Sequence, residues 1–159
     1  MHYITTSRKP GLRVRAFVKD IAFLFNAEYI TRGKNSISDL IADARYKGVD
    51  KIIIITEKNG NPYQLLIMSV DEKNWEWDET YFVKIIKAKS EVNSEKFRIR
   101  NFAIETNNKA LKSIFNKLDI DDKDSEFIIK DLKNGISVFK GKKEIGPSFD
   151  IWFAKGLND

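Results

Sequence analysis

The sequence predicts a mixed α/β fold assembled from two similar halves, and three observations carry that prediction. Amphipathic helical stretches alternate with β-branched apolar runs, of which KIIIIT at residues 51–56 is the clearest; helices packed on a sheet produce that alternation. Turn signals rich in Gly, Asn and Pro separate the stretches, at PG (10–11), RGKN (32–35) and KNGNP (58–62). The series also recurs, because a shift of 75 residues lays NFAIETNNK (101–109) over NAEYITRGK (26–34).

A short strand is expected at Tyr3 to Thr6, then a turn at Pro10-Gly11 and a helix from about Leu12 to Phe25. At 100° per residue, Val14, Phe17, Val18, Ile21, Leu24 and Phe25 share an arc of about 120° and form the buried face. Arg15 and Lys19, four residues apart, lie opposite on the solvent side with Arg13 on the flank. An extended piece, Glu28 to Thr31, leads into the RGKN loop. Ser36 with Asp39 three residues later resembles a capping box and opens a helix with Ile37, Leu40, Ile41 and Ala44 on its apolar face, ended by Gly48. KIIIIT is too apolar for an exposed strand and reads as a central one, paired through KNGNP with YQLLIMSV at 63–70.

In the second half, Leu111, Ile114, Phe115 and Leu118 repeat the apolar spacing of the second helix, and KNG returns at 133–135 behind the strand FIIK. TYFVKII (80–86) and PSFDIWF (147–153) supply a third strand to each half. Two βαββ-like units about a pseudo-twofold axis follow, with the repeat running roughly 1–88 and 89–159.

Composition narrows the chemistry. The 159 residues are 42% apolar and 32% charged, with three prolines, outside the disordered range; a chain of this length buries about 68–70% of its unfolded surface. With no cysteine there is no disulfide, thiolate metal site or thiol nucleophile, and a reducing compartment fits. The longest apolar run, Ile21 to Phe25, is far short of a bilayer span, so no membrane partner and a cytoplasmic location are expected. His2 is the single histidine, leaving no partner for a catalytic relay or histidine metal site. Neither GxGxxG nor GxxxxGK[ST] occurs. The acidic stretch DIDDKDSE (119–126) lacks a glycine at its sixth position and has Lys130 at its twelfth, so it reads as a solvated loop and not a calcium site. Glu72, Glu76, Asp78 and Glu79 sit in a polar stretch with nothing to raise a pKa. Trp75, Trp77 and Tyr81 read as caps on a sheet edge more readily than as base-stacking groups. No catalytic residue, metal or cofactor is expected.

Charge is unevenly spread. Residues 1–50 carry nine Lys/Arg against five Asp/Glu, residues 51–100 nine against eight, and residues 101–159 ten against ten. Five of the seven arginines, Arg8, Arg13, Arg15, Arg32 and Arg45, fall in the first third. The guanidinium fork matches phosphate oxygens better than a lysine point charge does, so this bias favours a polyanionic partner.

Three segments resemble the signature segments of the Brix-domain family: ITTSRKP (4–10), RGKNSISDL (32–40) and EIGPSFDIWF (144–153). They stand in the family's order, the resemblance covers essentially the whole chain, and the short chain looks like the archaeal, Imp4-like form. The resemblance implies a single Brix domain over 1–159, its halves each similar to the anticodon-binding domain of class IIa aminoacyl-tRNA synthetases, with mixed sheets and packed helices. It also implies a non-catalytic ribosome biogenesis factor whose partners are rRNA or pre-rRNA, a guide-type small RNA and other ribosome-assembly proteins. Ser148 departs from the pattern, standing where many members carry a basic residue.

Charge and resemblance meet on one set of residues. Ser7, Arg8, Lys9, Arg13, Arg15 and Lys19 are expected to form an electropositive face, extended by Arg32, Lys34 and Asn35 at the start of the second helix, where backbone N–H groups can hold a phosphate. Such contacts position an RNA without reading its sequence. A free-standing anticodon-type tRNA-binding module is the alternative reading, and a nucleotide-dependent enzyme the third.

Overall fold

A computed structural model describes residues 1–154, which fall into two compact units, Met1–Phe82 with Phe153 and Ala154, and Val83–Trp152. The fold is mixed α/β, with parallel and antiparallel strand pairs and helices in both units.

The first unit begins with β1 (His2–Thr6), α1 (Leu12–Ile21) and β2 (Ala27–Tyr29), followed by α2 (Ile37–Lys47), β3 (Lys51–Lys58), β4 (Asn61–Val70) and the first part of β5 (Trp75–Lys87). β1 lies between β2 and β3 and is parallel to both, while β4 and β5 continue the sheet antiparallel. The expected central strand is therefore central. Ile52 to Ile55 are all buried because both faces of β3 are covered, which is why KIIIIT shows no polar alternation. On one face Leu40, Ile41 and Ala44 of α2 pack with Tyr3, Ile52, Ile54, Met68 and Val70. Residues of the opposite parity, Ile4, Ile53, Ile55, Leu65 and Ile67, are also buried, and α1, which contacts β1, β3 and β4, brings Val14, Phe17, Val18 and Ile21 to the core. Burying a side chain of this size contributes about 1.5–3 kcal/mol.

Local chemistry sets the helix ends. The Ser36 hydroxyl accepts from Asp39 N–H at 3.1 Å and the Asp39 carboxylate accepts from Ser36 N–H at 2.9 Å, completing the capping box. Gly48 closes α2 at φ 71°, a left-handed conformation that needs no Cβ. The first helix stops earlier than the apolar arc predicts: Ala22–Phe25 is a 3-10 turn, and Asn26 follows at φ 47°. The tighter turn still buries Leu24 and Phe25 while redirecting the chain into β2, and Asn tolerates the left-handed geometry this requires.

The second unit holds the rest of β5, a short helix α3 (Lys89–Val92), β6 (Ala103–Glu105), α4 (Lys109–Lys117), β7 (Phe127–Leu132), β8 (Gly135–Lys140) and β9 (Lys143–Phe153) through Trp152. β6 is parallel to β7, and β7, β8 and β9 form an antiparallel meander. Asn108 caps α4 by accepting from Leu111 N–H at 3.0 Å. Ala110, Leu111, Ile114 and Phe115 face inward. Ser148 is 1% exposed and paired with the equally buried Ser137, so this position offers no surface to a ligand. The acidic loop at 119–126 is tied down by Asp122, whose carboxylate accepts from Ile104 N–H at 2.9 Å. Trp75 and Trp77 pair along β5 with Val70 and Met68 and pack edge to face, each close to half exposed.

Candidate nucleic-acid interface

β1 sits where the strand order of the first unit reverses. The chain leaves β1 for β2 on one side, then crosses back past it to β3 on the other. Two crossovers in opposite directions make a topological switch point, and open α/β sheets hold ligands in the crevice at the C-terminal strand ends there. The ITTSRKP turn and the RGKN loop emerge from β1 and β2 at this end.

Ser7 N–H donates to the Ile55 carbonyl at 3.0 Å, prolonging the β1–β3 ladder by one residue before the chain turns. Lys9 then adopts φ 53°, and the chain reverses through Pro10 into α1. Arg8 and Lys9 project into solvent. From the neighbouring loop, Lys34 and Asn35 are exposed as well. Proximity of turn and loop shows in their electrostatics: burial lowers the pKa of Arg32, and the charge of Arg8 lowers it further. Asp39 is held below the usual carboxylate range, first by the hydrogen bonds from Ser36 and lastly by Arg8.

Arg32 differs from the expectation. It is only 7% exposed, and its guanidinium donates from Nη1 to the Thr6 carbonyl at 3.0 Å and from Nε to the Asn35 carbonyl at 2.8 Å. A buried arginine must satisfy its fork internally, so Arg32 ties the loop to the end of β1 instead of opening toward solvent. The helix end beside it is also less open than expected, since the amides of Ser36 and Asp39 are already committed to the capping box.

Along α1 the cations are spread from one flank to the other. Arg13 Nε donates to Asn61 Oδ1 at 3.0 Å, at the tip of the β3–β4 hairpin. Lys19 lies toward β2, its Nζ 5.3 Å from the Tyr29 ring centroid. Arg15, between them, is exposed, and the side chains of Arg8, Lys9, Arg15 and Lys34 make no hydrogen bond or ion pair among the described residues.

Sequence reading missed the hairpin's part in this region. Glu57 Oε1 accepts from Gly11 N–H at 3.0 Å at the start of α1, and Lys58 stands 4.8 Å over the Tyr63 ring. Only the pairing of β3 with β4 and the folding of α1 beside them brings residues 46 to 48 positions apart into contact. Arg45, part of the arginine excess, is structural: it donates to the Asp71 and Asn74 carbonyls at 2.8 and 3.2 Å and closes the β4–β5 turn.

No group of three or more His, Asp or Glu side chains suited to a metal ion occurs among the described residues. None of their helices is long and apolar enough to cross a membrane.

No family model matches the chain. Individual relatives do. A probable Brix domain-containing ribosomal biogenesis protein of Methanococcus maripaludis is 31% identical over a 179-position alignment covering 98% of each chain. A protein of the same description from Thermococcus kodakarensis is 36% identical over 93 residues, which are 58% of this chain and 45% of the relative, so the match spans less than half of that relative's length. Among solved structures, a probable ribosomal biogenesis protein from Aeropyrum pernix K1 superposes with a TM-score of 0.67 at 20% identity, covering 99% of this chain and 98% of the other. Mil, an archaeal Imp4-like protein, does so with a TM-score of 0.67 at 18% identity, over 96% and 99%. At these identities the likeness is one of fold, and the Methanococcus alignment extends it to sequence along nearly the whole length. The chain belongs to the family of Brix domain-containing ribosomal biogenesis proteins.

Proposed function

We propose that this protein is a non-catalytic RNA-binding factor of ribosome biogenesis that holds rRNA or pre-rRNA during subunit assembly in the cytoplasm. The observation that carries the reading is the set of exposed cations around the switch point of the first unit: the side chains of Arg8, Lys9, Arg15 and Lys34 make no hydrogen bond or ion pair among the described residues, and Arg8 feels the more distant charge of Asp39. Arg13 and Lys19 flank them, Ser7 and Asn35 add neutral hydrogen-bonding groups, and Arg32 holds the turn and loop together from beneath. Cations left unpaired on a folded surface keep their full attraction for phosphate, and each contact releases counterions from the RNA. Backbone contacts of this kind fix orientation, so target choice rests on RNA shape, unpaired bases and other assembly proteins, with a guide-type small RNA as a further partner. No bond is made or broken in this role. We read residues 1–159 as one Brix domain whose halves, 1–88 and 89–159, are pseudo-repeats.

Crosslinking the protein to RNA in cells and sequencing what is recovered tests the reading. Precursor or mature rRNA segments are expected. Enrichment of mature tRNA would replace it with the anticodon-type module, and recovery of no RNA above background would reject both.

A further inference from the structure

The boundary between the structural units separates a second basic stretch from the acidic one before it. Residues 51–82, in the first unit, carry three Lys/Arg against six Asp/Glu, whereas residues 83–100, which open the second unit, carry six against two. A window of 51–100 adds the two together and hides both. The last two of the seven arginines, Arg98 and Arg100, lie in this stretch.

Residues 93–100 have no regular secondary structure, yet their exposure alternates. Lys96, Arg98 and Arg100 are exposed, and Phe97 and Ile99 between them are half-buried. The inward side chains explain what pins the segment down. Phe97 packs edge to face against Phe127 at the start of β7, with ring centroids 5.9 Å apart, and the ammonium groups of Lys89 and Lys140 each stand 5.4 Å from its ring centroid. Lys89 also donates to the carbonyls of Asn93 and Glu95, and the Asn101 carbonyl accepts from Ser125 Oγ at 2.9 Å. The nearest acid in the chain, Glu95, is already paired with Lys143 at 3.4 Å. Lys96, Arg98 and Arg100 themselves make no hydrogen bond or ion pair among the described residues.

Two residues of extended chain advance about 6.6 Å, which is close to the separation of neighbouring phosphates in an extended single strand. We propose that Lys96–Arg100 is a second nucleic-acid-binding strip, on which Lys96, Arg98 and Arg100 each meet one phosphate of an unpaired RNA stretch. Three exposed cations on alternate residues with no acid between them form an unbroken positive strip suited to a polyanion, and an RNA backbone is the polyanion that the first unit's cations also fit. The strip rests on the RNA-binding reading given above and extends it from the first unit to the second.

The test is fluorescence anisotropy with labelled oligouridylate over a salt series, on the full chain. Lys96→Gln/Arg98→Gln/Arg100→Gln is compared with the wild type, with the switch-point variant Arg13→Gln/Arg15→Gln/Lys19→Gln, and with Lys109→Gln/Lys112→Gln/Lys133→Gln, which removes equal charge from exposed lysines elsewhere in the second unit. Loss of three contacts at about 0.7 each should flatten the slope of log K against log salt by about 2, with an unchanged melting temperature and little effect in the Lys109/Lys112/Lys133 variant. An unchanged slope in the strip variant, beside a reduced one in the switch-point variant, overturns the strip and leaves the RNA-binding reading standing. Equal loss in the Lys109/Lys112/Lys133 variant overturns the strip as well, because net charge then explains the effect. If the wild type shows no salt-dependent binding at all, the RNA-binding reading falls first and the strip with it.

Discussion

Arg32 Nη1 lies 3.0 Å from the carbonyl oxygen of Thr6, joining the end of β1 to a loop 26 residues further along the chain. The same guanidinium reaches the Asn35 carbonyl through Nε, so one buried side chain satisfies two backbone acceptors. Replacing Arg32 with Gln should leave at least one of them unpaired and cost about 1–3 kcal/mol. Urea unfolding checks this: the midpoint should fall at unchanged m-value. Arg32→Lys keeps the charge but loses the fork, and should recover little of the stability.

The exposed cations behave differently. Arg13→Gln/Arg15→Gln/Lys19→Gln should leave the fold intact and flatten the dependence of log K on log salt by about 2 to 3 for an RNA ligand. Arg15 has no hydrogen-bond or ion-pair partner among the described residues, so its single substitution should alter slope without altering stability. An unchanged affinity and slope in the triple variant would remove α1 from the interface.

Legibility in the sequence followed how local each determinant is. The Ser36/Asp39 box and the Gly48 stop are decided within a few residues, and α2 was readable to its ends. β3 was readable as central because its isoleucines leave no polar face. The end of α1 was not, since an apolar arc continues through Leu24 and Phe25 whether the last turn is α or 3-10. Arg8 and Arg32 look alike as letters; one is exposed and the other buried because parallel pairing of β1 with β2 brings Arg32 against the end of β1, where it donates to the Thr6 carbonyl. Glu57 on Gly11 was out of reach for the same reason, as nothing local connects a hairpin residue to a helix 46 positions earlier.

The carboxylates of Asp39, in a helix cap, and Asp71, in the β4–β5 turn, should make stability sensitive to acid. Asp39 and Asp71 both titrate below the ordinary carboxylate value, Asp39 mainly through the hydrogen bonds from Ser36 and Asp71 through those from the Asn74 and Lys73 amides. A depressed folded-state pKa contributes stability that is present above the unfolded value, near pH 4, and is lost as pH falls through the folded value. Thermal melts should therefore drop as pH is lowered from about 5 to 3. In Asp39→Asn/Asp71→Asn the melting temperature at neutral pH should be lower and the acid drop shallower.

Gly135 starts β8 directly against β9. A Cβ there would lie 2.6 Å from the Phe149 carbonyl oxygen and 2.5 Å from Ile86 Cδ1. The isoleucine tip can rotate away, but the carbonyl belongs to the β8–β9 ladder and cannot move without shifting the Ile136–Phe149 pair. Gly135→Ala should cost about 1–3 kcal/mol, as overpacking does. Gly60, whose Cβ would meet nothing within 4 Å but whose φ is 78°, separates the two causes: Gly60→Ala would test backbone strain alone.

Glu57 is an anion inside a basic region, held by Gly11 N–H at the open end of α1. An acid at a helix N-terminus contributes about 0.3–1 kcal/mol, while the same charge repels an approaching phosphate. Glu57→Gln keeps the Oε1 acceptor and discards the charge, so stability should fall within that range and RNA should bind more tightly, most visibly at low salt, where screening is weakest. Gly11→Ala perturbs the contact from the other side, because its Cβ would sit 2.7 Å from Oε1 and push the carboxylate off the amide. The charge remains in that variant, so RNA affinity should not rise. Weaker RNA binding by Glu57→Gln would mean that the carboxylate aims the helix end at the ligand, and α1 would then be engaged through its amides and not only through its cations.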